Sequence, residues 1–144
     1  MTPTFAIDRG AIDAVVFDMD GVVTRTAVVH AAAWKKLFDD YLEERAAASG
    51  GEWRPFDDED YRVYVDGKPR YDGVRSFLAS RDIVLPDGEP ADPPDRETVC
   101  GLGNRKNGYF IAEVERHGVE PFETTVRLVR CLQEAGIGTA IISA

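Results

Sequence analysis

Cysteine, long apolar runs and basic residues are all scarce in this sequence, and each scarcity excludes a class of protein. Only two of the 144 residues are cysteines, Cys100 and Cys131, which favours free thiols in a reducing compartment over a disulfide framework. No apolar run approaches the roughly 20 residues that a membrane span requires, and the first ten residues lack the pattern of a secretory signal. We therefore expect a cytoplasmic protein with no membrane partner.

The shortage of basic residues bears on ligands as well. Seventeen Lys and Arg residues face 26 Asp and Glu residues, which gives a formal net charge of −9. Because nucleic-acid backbones select basic surfaces, the sequence argues against a nucleic-acid partner. The same charge repels anionic substrates at long range. A phosphate ester would therefore need a local cation, either a bound metal or clustered Lys and Arg side chains.

The most informative segment is residues 14–21, Ala-Val-Val-Phe-Asp-Met-Asp-Gly. Its four apolar residues predict a short buried strand, and Asp18 and Asp20 follow directly. Side chains two positions apart share a face of an extended segment, and ligands bind beyond the carboxyl ends of strands in parallel α/β sheets. Two such carboxylates attract a hard cation such as Mg²⁺. Taken alone, however, Asp-x-Asp-Gly after a strand is more often a solvated turn.

The rest of the pattern predicts an α/β protein. A second buried strand is expected at residues 139–142, and a proline-rich loop at 85–95. Apolar residues at helical spacing predict helices at residues 26–48, 58–65, 71–80, 104–117 and 122–135. One helix suffices to connect two parallel strands, so the other helices are read as an insertion. We predict a first core part at 1–24, an inserted helical cap at 25–118 and a second core part at 119–144.

The chain also resembles a known family. Its residues 16–24, Val-Phe-Asp-Met-Asp-Gly-Val-Val-Thr, are similar to the first signature motif of the haloacid dehalogenase-like phosphotransferases. The resemblance implies a Rossmann-like core in which Asp18 is the nucleophile, Asp20 is the general acid/base, and both bind Mg²⁺. Residues 141–144 resemble the second motif, in which the Ser143 hydroxyl and the backbone N–H of Ala144 would bind the transferring phosphoryl group.

Within that family the chain resembles the β-phosphoglucomutases. Thr-Arg-Thr-Ala at 24–27, followed by His30 and Trp34, continues the motif, although Arg25 stands where relatives often carry an acidic residue. The resemblance implies substrate-binding roles for six cap residues: His30, Trp34, Gly67, Arg70, Lys106 and Asn107. Five of them also have a plainer reading. The arginine would be a surface residue, the Lys-Asn pair a helix start, the histidine an ordinary half-buried side chain, and the tryptophan packing in the cap.

The function implied by the resemblance is phosphoryl transfer through an aspartyl-phosphate, with a phosphorylated sugar as substrate. We expect interconversion of hexose 1-phosphate and hexose 6-phosphate. One alternative is a Mg²⁺-dependent sugar phosphatase of the same fold, since both activities would use Asp18 and Asp20. A second alternative is a non-catalytic domain attached to a sugar-processing enzyme.

The core is expected to be incomplete within these 144 residues. The family's phosphotransferases need a core lysine and further acidic residues after the second motif, which here stands at 141–144. The sequence also predicts only two strands for the core, whereas stable sheets usually have about four to six. We therefore expect the remainder of a longer polypeptide, or a partner, to complete the core.

Overall fold

The structure is a computed structural model that describes residues 6–143. Ala144, whose backbone N–H was predicted to bind the phosphoryl group, lies outside the described residues. The chain forms two compact units, one of residues 6–27 and 119–143 and one of Val28–Gly118. Their elements, in chain order, are β1 (Ala14–Asp18), α1 (Ala27–Ser49), α2 (Asp58–Asp60) with a π-helical turn (Tyr61–Val65), α3 (Arg70–Ser80), α4 (Val99–His117), α5 (Glu123–Glu134) and β2 (Gly138–Ile142).

The first unit is a parallel β-pair with one helix. β1 and β2 run parallel, with Ala14 opposite Gly138 and Asp18 opposite Ile142, and α5 provides the crossover as predicted. Phe17, Leu132 and Ile137 form the buried centre of this unit. The strands form because β-branched and aromatic residues fill one pleated face. The predicted α/β architecture with a parallel strand pair is confirmed.

The two faces of β1 differ in exposure. Phe17 is 7% exposed, whereas Val16, its neighbour on the opposite face, is 56% exposed. The register places Ile142 on the same face as Val16, and Ile142 is 63% exposed. Strands of parallel sheets are normally covered on both faces. This face of the pair therefore carries apolar side chains that a complete parallel sheet would bury.

The second unit is helical, with a core built on one side of α1. Residues spaced three and four apart share a helix face, and the buried side chains of α1 follow that spacing: Trp34, Leu37, Phe38, Tyr41 and Leu42. The ring of Phe38 lies 4.0 Å from that of Phe77 in α3. Full burial of one such side chain contributes about 1.5–3 kcal/mol. This shared aromatic core holds α1 and α3 together.

Helix α4 begins earlier than the sequence indicated. The expected start at residue 104 is wrong, because the helix begins at Val99 and Thr98 caps it by accepting the Gly101 N–H at 2.9 Å. Glycine disfavours helices, yet here it is required by close packing. A Cβ atom on Gly101 would lie 2.2 Å from the Arg96 carbonyl oxygen, and one on Gly103 would lie 2.7 Å from the Tyr71 ring.

No helix within residues 6–143 is long and apolar enough to cross a membrane.

Candidate active site

Asp18 lies at the carboxyl end of β1 and Asp20 follows in the turn. The backbone ladder extends one residue past β1, since the Met19 N–H donates to the Ile142 carbonyl at 3.1 Å. A second Met19 contact orients the nucleophile candidate, because the Asp18 Oδ1 atom accepts that same N–H at 2.8 Å. Asp18 is exposed, whereas Asp20 is partly buried. The two carboxylates therefore differ in their access to solvent.

A tight turn brings Thr26 back against Asp20. Gly21 adopts a positive φ of 79°, and its N–H donates to the Thr24 carbonyl at 2.8 Å. The Thr26 hydroxyl then donates to the Asp20 Oδ1 atom. Thr26 is 5% exposed, so the hydrogen bond is shielded from water. Sequence reasoning did not assign a role to Thr26, although the Thr-x-Thr string at 24–26 was its signal.

The two threonines form a short chain of hydroxyls. The Thr24 and Thr26 Oγ1 atoms lie 2.7 Å apart. Each hydroxyl carries one proton, and Thr26 uses its proton toward Asp20. Thr24 therefore donates to Thr26, and the Met19 carbonyl, 3.2 Å from the Thr24 Oγ1 atom, shares that proton. This arrangement fixes the position of the Asp20 Oδ1 atom through two linked hydroxyls.

Ser143 lies at the same edge of the sheet as the two aspartates. It directly follows β2, whose last residue is opposite Asp18, and it is exposed. The structure thus brings Asp18, Asp20 and Ser143 to the carboxyl end of the strand pair. The chemistry of these groups, two carboxylates beside a hydroxyl, suits a cation and a phosphoryl group.

The donor set is compatible with Mg²⁺. Among residues 6–143 no three His, Cys, Asp or Glu side chains cluster as a metal site. Mg²⁺, however, binds oxygen ligands, retains several waters and is often held by only one or two carboxylates. Asp18 supplies such a carboxylate, and Asp20 adds further oxygen atoms two residues along the chain.

Three of the cap residues meet in the second unit. The Lys106 Nζ atom lies 2.7 Å from the His30 Nδ1 atom and 5.0 Å from the Trp34 ring. Lys106 is only 5% exposed, and the His30 ring stacks on Phe110 with 4.0 Å between centroids. Because Lys106 is a donor only, the His30 Nδ1 atom accepts. Lys106 and Asn107 do not form a helix start, because α4 begins at Val99.

Arg70 and Gly67 belong to a different part of the same unit. Gly67 adopts a positive φ of 70° in the turn before α3, and Arg70 is the exposed first residue of that helix. The Arg70 Nη1 atom lies 3.4 Å from the Asn104 Oδ1 atom, which also accepts from the Tyr71 hydroxyl at 3.1 Å. Asn107 is partly buried on α4. Sequence reasoning missed Asn104, whose contacts depend on the tertiary fold.

The chain is similar in sequence to known proteins over most of its length. The chain is 50% identical over 133 residues to a β-phosphoglucomutase of Mycobacterium tuberculosis, a match that covers 92% of this chain and 51% of that protein. It is 42% identical over 138 residues to an uncharacterized glycosyl hydrolase of the same species, covering 96% of this chain and 10% of that protein. The chain therefore spans about half the length of the first relative and a tenth of the second.

Solved structures show the same fold. The crystal structure of CbbY from Rhodobacter sphaeroides in complex with phosphate matches 92% of this chain and 51% of that chain, with a TM-score of 0.59 and 23% identity. A haloacid dehalogenase family hydrolase from Deinococcus radiodurans, with bound phosphate and sodium, matches 92% of this chain and 46% of that chain, with a TM-score of 0.53 and 26% identity.

The family model of haloacid dehalogenase-like hydrolases matches residues 12–144. That range begins just before β1 and takes in the Asp18-Asp20 turn, the helical insertion and β2. The resemblance seen in the sequence is thereby confirmed. This chain belongs to the haloacid dehalogenase-like hydrolase family.

Proposed function

We propose that this chain carries the nucleophile, the acid/base group and the substrate-binding cap of a β-phosphoglucomutase-type enzyme. Such an enzyme would interconvert hexose 1-phosphate and hexose 6-phosphate. The observation that carries the proposal is the placement of Asp18 and Asp20 at the carboxyl edge of the strand pair, with Asp20 held by Thr26. The 50% identity to a β-phosphoglucomutase supports the choice of reaction.

In the proposed mechanism the chain's own groups make and break the bonds. An Asp18 carboxylate oxygen attacks phosphorus in line, and the bond from phosphorus to the sugar oxygen breaks. Asp20 gives its proton to that leaving oxygen and later takes one from the acceptor hydroxyl. The Asp18 carboxylate and the Asp20 backbone carbonyl would also hold Mg²⁺, which when bound neutralises charge on the phosphoryl oxygens. The Ser143 hydroxyl, with the backbone N–H of Ala144, would bind those oxygens.

The cap would supply the cations that a sugar bisphosphate needs. In a chain of net charge −9, Lys106 and Arg70 are the proposed sources of positive charge toward substrate. Lys106, with its His30 and Trp34 neighbours, offers an amine that in its protonated form would donate charge-assisted hydrogen bonds to an anion. Arg70 would read the distal phosphate, with Gly67 and Asn107 as further substrate contacts.

Two other functions are considered, and a specific observation favours each of them. A sugar phosphatase would use water as acceptor, and the hydrolase family membership favours it. A domain attached to a sugar-processing enzyme is favoured by the 42% identity to one tenth of a glycosyl hydrolase.

We also propose that a further part of the polypeptide, or a partner, covers the exposed face of the strand pair. The support is the exposure of Val16 and Ile142 on a face that parallel sheets normally bury. That additional part would bring the core lysine and acidic residues that the family resemblance implies.

One experiment separates these functions. The chain is purified alone and also co-expressed with the half of the M. tuberculosis β-phosphoglucomutase that it does not match; we refer to that pair as the assembled enzyme. Both are given β-glucose 1-phosphate with Mg²⁺ and a trace of glucose 1,6-bisphosphate. Glucose 6-phosphate formation indicates a mutase, and phosphate release a phosphatase. No turnover in either preparation would favour the attached-domain reading.

Two variants serve as controls for the chemistry. Asp18→Asn should abolish turnover while the protein stays folded, because the amide cannot accept the phosphoryl group. Activity within tenfold of the unaltered enzyme would refute the nucleophile assignment. Asp20→Ala should slow or abolish transfer while Mg²⁺ binding, followed by titration, persists through the backbone carbonyl.

A further inference from the structure

Two chain segments that are distant in sequence cross beside Asp20 in the first unit. Thr24 forms an antiparallel bridge with Pro121. The Arg25 N–H donates to the Glu120 carbonyl at 2.8 Å, and the Phe122 N–H donates to the Val23 carbonyl at 2.9 Å. The segment that returns before α5 is therefore the backbone partner of the segment that carries the two threonines.

Side chains strengthen this crossing. The Arg25 Nε atom lies 3.3 Å from the Glu120 Oε1 atom, and the Arg25 guanidinium carbon lies 4.3 Å from the centroid of the Phe122 ring. One arginine thus contacts both a carboxylate and an aromatic face of the returning segment. We refer to Arg25, Glu120 and Phe122 as the linker clamp.

The linker clamp is placed to control the Asp20 carboxylate. Arg25 lies between Thr24 and Thr26, the two residues whose hydroxyls lead to the Asp20 Oδ1 atom. Because Thr24 and Thr26 are the adjacent residues, an Arg25 held by its contacts leaves each of them only the two soft backbone dihedral angles of a residue in which to move away. We propose that Arg25 is a positioning residue, which holds Thr26 against Asp20 through its contacts with Glu120 and Phe122. This inference rests on the proposed function, since it assigns the benefit to the acid/base step.

A role in bulk stability is a weaker explanation of the same contacts. The side chains of Arg25 and Glu120 are 51% and 75% exposed, and exposed ion pairs contribute little to folding. Exposed cation–π contacts are also weak. Neither contact is buried, so removing the arginine should leave the unit folded. Its effect should appear in the local segment and in the reaction step that needs Asp20 as an acid.

The first test measures the segment without any reaction. Hydrogen–deuterium exchange is followed in the chain alone for the peptide that covers residues 24–27, in the unaltered protein and in Arg25→Ala. We expect exchange in that peptide to become about 3- to 10-fold faster, with no change in α5 or in α1 beyond Ala27. The matched control is Arg116→Ala, another exposed arginine paired with a glutamate, Glu113. Unchanged exchange in Arg25→Ala would overturn the clamp.

The second test uses leaving groups in the assembled enzyme. A sugar phosphate needs a proton from Asp20 as its oxygen leaves, whereas acetyl phosphate releases acetate, which needs none. The rate measured is that of single-turnover phosphorylation of Asp18. In Arg25→Ala this rate should be about 3- to 10-fold lower with the sugar phosphate and unchanged with acetyl phosphate. The KM should not change. Arg25→Lys, which keeps a cation near Glu120 and Phe122, should recover most of the rate.

The outcomes separate the two proposals. An equal loss with both phosphate donors would overturn the positioning role of Arg25, and so would failure of Arg25→Lys to recover any rate. If the unaltered assembled enzyme transfers phosphate from neither donor, the proposed function fails, and the acid/base benefit of the clamp fails with it. The exchange measurement still decides whether Arg25 holds residues 24–27.

Discussion

The Thr26 hydroxyl donates a hydrogen bond to the Asp20 carboxylate six residues earlier in the chain. Thr26 is almost fully buried, at 5% exposure. If its hydroxyl were removed, bulk water would therefore not take its place. An acceptor that loses its donor where water cannot take the donor's place costs about 1–3 kcal/mol. The orientation of Asp20 therefore depends on a residue that is neither a metal ligand nor in the Asp-x-Asp pair.

Thr26→Val should lower the rate of phosphoryl transfer in the assembled enzyme. Valine keeps the shape of threonine but removes the donor to Asp20. A loss of about 1–3 kcal/mol in the transition state corresponds to a roughly 5- to 150-fold lower kcat/KM. Thr26→Ser retains the hydroxyl and should stay within about threefold of the unaltered enzyme. Equal rates for the valine and serine variants would show that the hydrogen bond does not matter.

Arg70→Ala tests whether the enzyme is a mutase. If Arg70 reads the distal phosphate, its loss should cost ~1.5–3 kcal/mol of binding, or roughly ten- to a hundred-fold in affinity. Mutase turnover should fall, while hydrolysis of a small aryl phosphate, which has no second phosphate, should not. If both reactions fall equally, Arg70 has a structural role instead.

Asp60 should be critical for the stability of the helical unit. Its carboxylate is 4% exposed and contacts Arg54 at 2.9 Å and Arg81 at 2.7 Å. Removing one partner of a buried ion pair typically costs about 3–5 kcal/mol, because the remaining charge is left uncompensated. We expect Asp60→Ala to lower the free energy of unfolding in urea by about 3 kcal/mol. A loss below roughly 1 kcal/mol would contradict this.

Asp72→Ala is the matched control for that measurement. Asp72 also forms an ion pair with an arginine, Arg75, but its side chain is 56% exposed. Exposed pairs of this kind contribute about 0–1 kcal/mol. The control variant should therefore unfold at nearly the same urea concentration as the unaltered protein.

Tyr41 should make the protein less stable at high pH. Burial, followed by its 2.9 Å hydrogen bond to Glu97, raises the pKa of Tyr41 to about 12, above the usual tyrosine pKa of about 10. The unfolded chain therefore loses this proton first. The contribution of the protonated Tyr41 to the free energy of unfolding is complete below about pH 10. It is lost as the pH rises through 12, at about 1.4 kcal/mol per pKa unit.

Tyr41→Phe provides the measurement of this pH dependence. Phenylalanine carries no proton to lose, so the stability difference between the unaltered protein and the variant should shrink by roughly 2 kcal/mol from pH 9 to pH 12. Urea unfolding at a series of pH values measures it. A difference that stays constant across that range would show that the pKa of Tyr41 is not raised.

Val16→Gln tests whether the exposed face of the strand pair is an interface. Val16 is 56% exposed in the chain, so its replacement should change the stability of the chain alone by no more than about 0.5 kcal/mol. Co-purification with the unmatched half of the β-phosphoglucomutase should nevertheless weaken. The matched control is Val84→Gln, at a valine of the helical unit that is 92% exposed. Equal recovery with both variants would place the interface elsewhere.

Several parts of this protein were predictable because their signals are local. The apolar run before Asp18 specifies a strand, and the spacing of Leu37, Phe38 and Tyr41 specifies the inner face of α1. The start of α4 was not predictable. Gly101 and Gly103 disfavour a helix by themselves, and only the nearby Arg96 carbonyl and Tyr71 ring show why those positions must be glycine.

The sequence by itself determined the family, the two strands and the order Asp18-Asp20-Gly21, since these depend on residue types at fixed short spacings. The tertiary structure alone decided which groups meet. The contact between Lys106 and His30 and that between Arg25 and Phe122 join residues far apart in the chain. No periodicity encodes such pairs, because they arise only when packed elements bring distant side chains within a few ångströms.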